Sequence, residues 1–164
     1  MPILEPCPEM AAIRNLLPNS PPPHVGMIVR DFDRAMEVYG TVFGCRWAPP
    51  IKTHHELLGP RAAQAELRVT FSVGKPNIEL IEHRDGTIWS AVESVLHHLG
   101  FWVDDLESAH TILTNAGLAF QASGRRAGSR RIAYAFYSLD GLLIEINDRR
   151  YEPYLQSWVG GFRE

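Results

Sequence analysis

The sequence predicts an α+β fold in which one unit, a strand, a helix and about three further strands, is used twice. Three observations predict it. The chain repeats itself, each repeat begins with an apolar run entering a capped helix, and strand-like segments follow each helix. The repeat is read directly. His24-Val25-Gly26-Met27-Ile28-Val29-Arg30-Asp31-Phe32-Asp33-Arg34-Ala35 aligns with His98-Leu99-Gly100-Phe101-Trp102-Val103-Asp104-Asp105-Leu106-Glu107-Ser108-Ala109 at a constant offset of 98 − 24 = 74. His, Gly, Val, Asp and Ala recur identically, with apolar residues matched between them.

The elements follow in order. Residues 1–21 read as an N-terminal arm, with Pro18 to Pro23 as an extended lead-in. The run ending at Val29 is the first strand. Asp31 is a good N-cap because its carboxylate can accept from the orphan N–H groups of a first helical turn. Ala35, Val38, Tyr39, Val42 and Phe43 then recur at helical spacing, and Gly44 closes the helix. Ala65 to Val73 and Asn77 to Glu82 read as strands around the Gly74-Lys75-Pro76 turn. In the second copy Asp105 caps a helix with Ala109, Ile112, Leu113 and Ala116 on one face, ended by Gly117. Arg131 to Tyr137 and Leu142 to Asn147 are its later strands, joined by Asp140-Gly141. The modules span 22–95 and 96–148 of a domain covering 22–148. Residues 149–164 are a C-terminal extension, helical around Tyr154 to Trp158.

Polar residues in apolar strands carry the chemistry. Glu79 lies in Ile78-Glu79-Leu80-Ile81 and Glu145 in Leu143-Ile144-Glu145-Ile146, each in the last strand of its module. A carboxylate buried there without a partner costs several kcal/mol, so it needs a cation. Each module thus offers one His at the start of its first strand and one Glu in its last. His24 to Glu79 spans 55 residues and His98 to Glu145 spans 47, the same plan shortened by 8. Two imidazoles and two carboxylates suit one divalent first-row ion, Zn, Ni, Co, Mn or Fe, with positions left for water or substrate.

Strand alternation puts Ile28 on the face of His24 and Trp102 on the face of His98, making Trp102 a candidate pocket wall. By the same alternation His97 should face away from the metal. The stretch Gly124 to Arg131 reads as a loop, and its Arg125, Arg126 and Arg130 are candidates for gripping a carboxylate, a phosphate or a CoA tail.

Composition excludes other classes. Sixteen Lys and Arg against 19 Asp and Glu give a net charge of −3, which is no footprint for nucleic acid. No apolar run approaches the roughly 20 residues of a membrane span, and Glu5 and Glu9 stand where a signal peptide wants positive charge, so a cytoplasmic protein is expected. Cys7 and Cys45 are too few for a disulfide scaffold or a cysteine metal site.

Over residues 22–148 the sequence resembles the vicinal oxygen chelate superfamily, which includes glyoxalase I, methylmalonyl-CoA epimerase, extradiol dioxygenases and bleomycin or fosfomycin resistance proteins. The resemblance rests on His24 to Ala35 with Tyr39 and Gly44, on Leu96 to Leu106, and on Asp140 to Glu145. It implies two βαβββ modules whose curved mixed sheets form a cup around one metal, with helices outside, and it places the ligands on His24, Glu79, His98 and Glu145. The His-Glu-His-Glu set is like that of glyoxalase I, whereas the epimerase usually has Gln at the position of Glu79. Leu96-His97-His98 and Gly86 to Val92 look more like the epimerase branch.

Three classes follow. The first is an isomerase, epimerase or lyase that removes a proton beside a metal-chelated carbonyl, with Glu145 and Glu79 as bases and a carbonyl compound, thioester or glutathione adduct as substrate. The others are an Fe(II) ring-cleaving dioxygenase and a metal-free binding or resistance protein. The resemblance also implies a homodimer, for which Tyr151, Tyr154 and Trp158 of the tail offer apolar surface.

Overall fold

A computed structural model describes residues 8–17, 22–90, 95–126 and 128–161. Cys7 and most of the Pro18–Pro23 lead-in lie outside them. The first module holds β1 (His24–Val29), α2 (Phe32–Phe43), β2 (Ile51–Leu58), β3 (Ala63–Phe71) and β4 (Asn77–Glu82). The second holds β5 (Leu96–Val103), α3 (Leu106–Asn115), β6 (Ala119–Arg126), β7 (Tyr134–Leu139) and β8 (Leu142–Asp148). Before them lies α1 (Pro8–Leu16). After them a 3-10 turn, Arg149–Tyr151, leads into α4 (Glu152–Gly160). The fold is the expected α+β architecture of two βαβββ modules with a curved mixed sheet.

The modules join at two seams. β1 pairs antiparallel with β5, and β2 pairs antiparallel with β6, so the ladder runs β1-β4-β3-β2-β6-β7-β8-β5 and closes on itself. Within each module the first strand lies parallel to the last, β1 to β4 and β5 to β8. The four strands at the first seam therefore stand in the order β4, β1, β5, β8. These are the strands that carry the two His and the two Glu.

Both main helices begin as expected. Asp31 accepts from the Arg34 N–H at 2.9 Å, and Asp105 accepts from the Glu107 N–H at 3.0 Å. Gly44 ends α2 in the left-handed region at φ 67°, where a Cβ would be strained. The buried face of α2 differs from the sequence pattern. Phe32, Ala35, Met36 and Tyr39 pack against Val29 and Leu80, whereas Val42 and Phe43 are exposed at the end of the helix. The N-terminal arm contains a helix that the sequence reading did not anticipate. α1 packs Ile13 and Leu16 beside α3, against a core of Phe101, Leu113, Tyr137 and Ile146.

A second core fills the inside of the sheet with Ile28, Leu57, Leu67, Ile81, Trp89, Tyr134 and Phe136. Part of the apolar tail packs on its own chain. Trp158 packs edge-on against Phe71 with ring centroids 5.5 Å apart, its Nε1–H donates to the Pro49 carbonyl at 3.2 Å, and Val159 is buried. Of the three aromatic residues expected to offer a dimer contact, Tyr151 and Trp158 are half-buried against their own chain and Tyr154 is 59% exposed. Among the described residues no helix is long and apolar enough to cross a membrane.

Candidate metal centre

The site follows from strand register. Gly26 on β1 sits between Glu79 on β4 and His98 on β5. Gly100 on β5 sits between His24 on β1 and Glu145 on β8. Each rung has a glycine between one imidazole and one carboxylate, so the flanking side chains can lean together over a position with no side chain. The clearance is absolute. A Cβ on Gly26 would stand 2.0 Å from the His98 ring, and one on Gly100 would stand 2.0 Å from the His24 ring. The His-x-Gly spacing in both repeats carried this signal. The glycines entered the sequence argument only as matched letters.

His24, Glu79, His98 and Glu145 therefore converge from both modules of one chain, and their nearest donor atoms all lie within 4.8 Å of one another. The two Nε2 atoms are 3.1 Å apart. Glu145 Oε2 is 3.0 Å from His24 Nε2 and 3.3 Å from His98 Nε2, and Glu79 Oε2 is 3.2 Å from His98 Nε2 and 3.7 Å from His24 Nε2. Donors held about 2.0–2.2 Å from one divalent ion stand roughly 3.0–3.5 Å apart, so this set fits a metal. The nitrogen and oxygen donors suit several first-row ions.

Electrostatics agree. Burial opposes a charge on His98, but Glu145 and Glu79 outweigh it and raise its pKa to about 10. Burial likewise opposes charge on Glu145, and the two imidazoles overcome it and hold the carboxyl well below the usual range. Without a metal, His98 keeps a proton that offsets part of the negative charge beside it. A cation in its place would do the same work.

The two carboxylates are held differently. Glu145 also accepts from the Asn147 side-chain amide at 2.8 Å, and 9% of its side chain is exposed. Among the described residues Glu79 meets only the imidazoles at these distances, and 16% of its side chain is exposed. The two imidazoles differ as well. His24 Nδ1 is buried and has no hydrogen-bond partner among the described residues. His98 Nδ1 lies 2.8 Å from His97 Nδ1, and His97 Nε2 lies 2.8 Å from the Ile88 carbonyl.

Because a carbonyl only accepts, His97 Nε2 carries a hydrogen. Burial and the neighbouring His98 hold its pKa down to about 3, so the ring is neutral and its Nδ1 is a lone pair. His98 must then donate from Nδ1, which leaves its Nε2 aimed at the cluster. This corrects the sequence reading that His97 faces away. Gly26 pairs with His98 but Met27 pairs with Leu96, so His97 is the extra residue of a β-bulge and the simple alternation breaks at that point.

A cavity of about 110 Å³ lies over the cluster and is lined by His24, Glu79 and Glu145. Trp102 lines it, as the alternation suggests. Of the three arginines, Arg126 lines it and is the only Lys or Arg to do so among the described residues. Arg125 is engaged by Glu56 through two bonds of 2.8 and 2.9 Å, and exposed Arg130 stands apart from the cavity. The difference has a plain cause: residues 124–126 continue β6 rather than opening a loop, so successive arginines point to opposite faces.

Sequence reasoning also missed His55 and Tyr134. Both line the cavity, with His55 Nδ1 2.7 Å from the Tyr134 hydroxyl and Thr53 hydrogen-bonded to the other ring nitrogen. Burial lowers the His55 pKa to about 4, and burial together with Glu145 and Glu79 raises that of Tyr134 well above its usual value. Both groups are neutral hydrogen-bonding partners near neutral pH. Gly124 makes room for them, since a Cβ there would stand 2.0 Å from the Tyr134 ring.

The family model of the glyoxalase/bleomycin resistance protein/dioxygenase superfamily matches residues 23–136. The chain belongs to this superfamily. Solved structures with the same fold include the methylmalonyl-CoA epimerase of Mycobacterium tuberculosis, at 20% identity and a TM-score of 0.55, covering 82% of this chain and 93% of that one. A variant of the Streptomyces coelicolor methylmalonyl-CoA epimerase, in complex with 2-nitronate-propionyl-CoA, aligns at 15% identity and a TM-score of 0.54 over 77% of this chain and 95% of that one. A methylmalonyl-CoA epimerase in complex with methylmalonyl-CoA and NH4+ aligns at 15% identity and a TM-score of 0.54, over 77% and 92% of the two chains. No curated protein sequence matches. At these identities the likeness to the epimerases is one of fold, and within the superfamily the chemistry has to be argued from the site.

Proposed function

We propose that the protein is a metal-dependent isomerase, epimerase or lyase that moves a proton on the carbon beside a carbonyl, with the carbonyl and a neighbouring oxygen of the substrate meeting the His24–Glu79–His98–Glu145 set. The single observation that carries this reading is the convergence of four donor atoms within 4.8 Å at the floor of an apolar cavity. A bound divalent ion would supply Lewis acidity, lowering the pKa of the carbon acid. The chain supplies the rest.

Glu145, fixed by both imidazoles and by Asn147, is the permanent ligand. Glu79 is held only by the imidazoles and is the more exposed, so it is the carboxylate that can turn away and accept the proton. Loss of a proton to Glu79 and its return at a neighbouring carbon gives isomerisation; return from solvent on the face opposite Glu79, with Glu79 releasing its own proton to solvent, gives epimerisation. Methylmalonyl-CoA epimerase-like and glyoxalase-like reactions both fall within this scheme. Trp102 walls the substrate space, and Arg126 at the rim supplies a positive charge for a substrate carboxylate.

Two measurements test this. Metal analysis of freshly purified protein should find one divalent ion per chain, and His24→Ala with His98→Ala should remove it. Solvent deuterium should enter the substrate carbon beside the carbonyl when methylmalonyl-CoA and the methylglyoxal–glutathione adduct are assayed in parallel with other carbonyl compounds. Turnover of a catechol with oxygen consumption and no deuterium uptake would replace this reading with the dioxygenase one.

A further inference from the structure

The C-terminal helix holds information about the substrate. Tyr151, Tyr154, Leu155 and Trp158 all line the cavity. Their spacing of i, i+3, i+4 and i+7 is one face of a helix. α4 lies beyond residue 136, where the match to the superfamily model ends.

The helix is anchored at both ends. Arg149 donates to Asp104 at 2.6 Å, to the Trp102 carbonyl at 3.2 Å and to Glu152 at 3.0 Å. At the far end Trp158 is fixed by Phe71 and Pro49. Trp89, Trp102 and Tyr134 line the same cavity. At the rim the Arg126 guanidinium lies 5.4 Å from the Tyr151 ring centre and 5.2 Å from that of Tyr154, so the one arginine of the cavity is itself held on aromatic faces.

A space lined by aromatic rings, with oxygen-seeking ligands at its floor and a cation at its mouth, has a specific complement. An apolar cavity of roughly 150 Å³ accepts one benzene ring. The space above the His/Glu set, about 110 Å³, is smaller than that, so a compact ligand whose oxygens reach the floor holds its ring at the mouth beside α4. We infer that the substrate is a compact aryl-substituted acid with two neighbouring oxygens, a 2-hydroxy or 2-oxo acid, whose ring is clamped between the α4 face and the barrel wall. An acyl group on a long polar carrier has no use for such a clamp. The inference rests on the proposed reading of the metal site and narrows it to a substrate class.

The test compares ligands with the same oxygen pair and a different body. Mandelate and lactate, with methylmalonyl-CoA as a third probe, are titrated against metal-loaded and metal-free protein while tryptophan fluorescence and heat are followed. Mandelate should bind at least tenfold more tightly than lactate. Trp158→Ala and Tyr154→Ala should each pull that ratio towards one by weakening mandelate binding more than lactate binding, with the metal content unchanged. A ratio near one in the intact chain, a ratio that survives both substitutions, or tighter binding of methylmalonyl-CoA than of mandelate would overturn the inference. A protein that takes up no metal and still keeps the ratio would overturn the proton-transfer reading and support the ring clamp.

Discussion

The two modules carry the same pair of ligands and support them in different ways. In the second module His98 leans on His97, which leans on the Ile88 carbonyl, and Glu145 is tied to Asn147. In the first module His24 Nδ1 has no such partner among the described residues, and Glu79 is held by the imidazoles alone. Duplication supplied a symmetric set of donors, and the surroundings give one half more hydrogen-bonded support than the other. A proton-transferring metal site needs both: ligands that stay and one that can move. The largest expected effect lies in that contrast. Glu79→Gln should keep most of the metal and lose about 10²–10⁴-fold in solvent deuterium exchange, the usual loss on removing a general base. Glu145→Gln should lose metal first. Equal behaviour of the two variants in metal titration would erase the distinction.

The glycine rungs make the opposite prediction, because there the modules are alike. Gly26→Ala pushes on His98 and Gly100→Ala on His24, each at a distance that no real Cβ contact tolerates. Both should weaken metal binding by about 100-fold or more, beyond the roughly 10–100-fold typical of changing a group that only supports a ligand. Gly160→Ala meets nothing within 4 Å and serves as the control. Metal titration followed by thermal unfolding of the metal-free variants separates a displaced ligand from a collapsed fold. A Gly100→Ala chain that binds metal normally would show that His24 can retreat.

What the sequence disclosed follows the same division. The donors were legible because duplication wrote them twice and because a Glu between aliphatic strand neighbours has to be explained. The fold was legible for the related reason that Asp31 and Asp105 cap matching helices. The support of His98 was not, since a β-bulge at His97 depends on how β5 pairs with β1 and leaves no mark in a period-two pattern. Arg125 and Arg126 looked equivalent until β6 put them on opposite faces, one on Glu56 and one at the cavity. The aromatic face of α4 was visible as three aromatic residues at helical spacing. Its target was not, because nothing local says whether an amphipathic tail covers its own chain or another.

His97 gives a sharper and smaller test of the asymmetry. His97→Phe keeps the ring contacts with His98 and Phe136, whose centroids are 5.1 and 5.7 Å away, and removes the acceptor of the His98 Nδ1–H. It should cost about 10–100-fold in metal affinity, as orienting partners of metal-bound imidazoles do. His97→Gln restores an acceptor and should recover part of the loss. The recovery decides the point, since a purely structural role would favour Phe over Gln.

The smallest effect is a slope with pH, and it too separates the modules. His98 holds a proton up to about pH 10 in the metal-free site because Glu145 and Glu79 outweigh the cost of its burial. A folded-state pKa above the unfolded value stabilises the metal-free fold fully below about pH 6.5, and that contribution fades as pH rises through 10. Metal binding has the opposite sign. An ion must displace this proton before Nε2 can coordinate, so apparent affinity should rise about tenfold per pH unit from 7 towards 10 and then level off. Glu145→Gln removes the largest charge opposing burial, so His98 should release its proton at lower pH and the levelling should begin earlier. Metal titrations in matched ionic strength at successive pH values read this directly. A flat profile in the wild type would mean that no proton is exchanged at His98, and that the second module meets the metal with its imidazole already free.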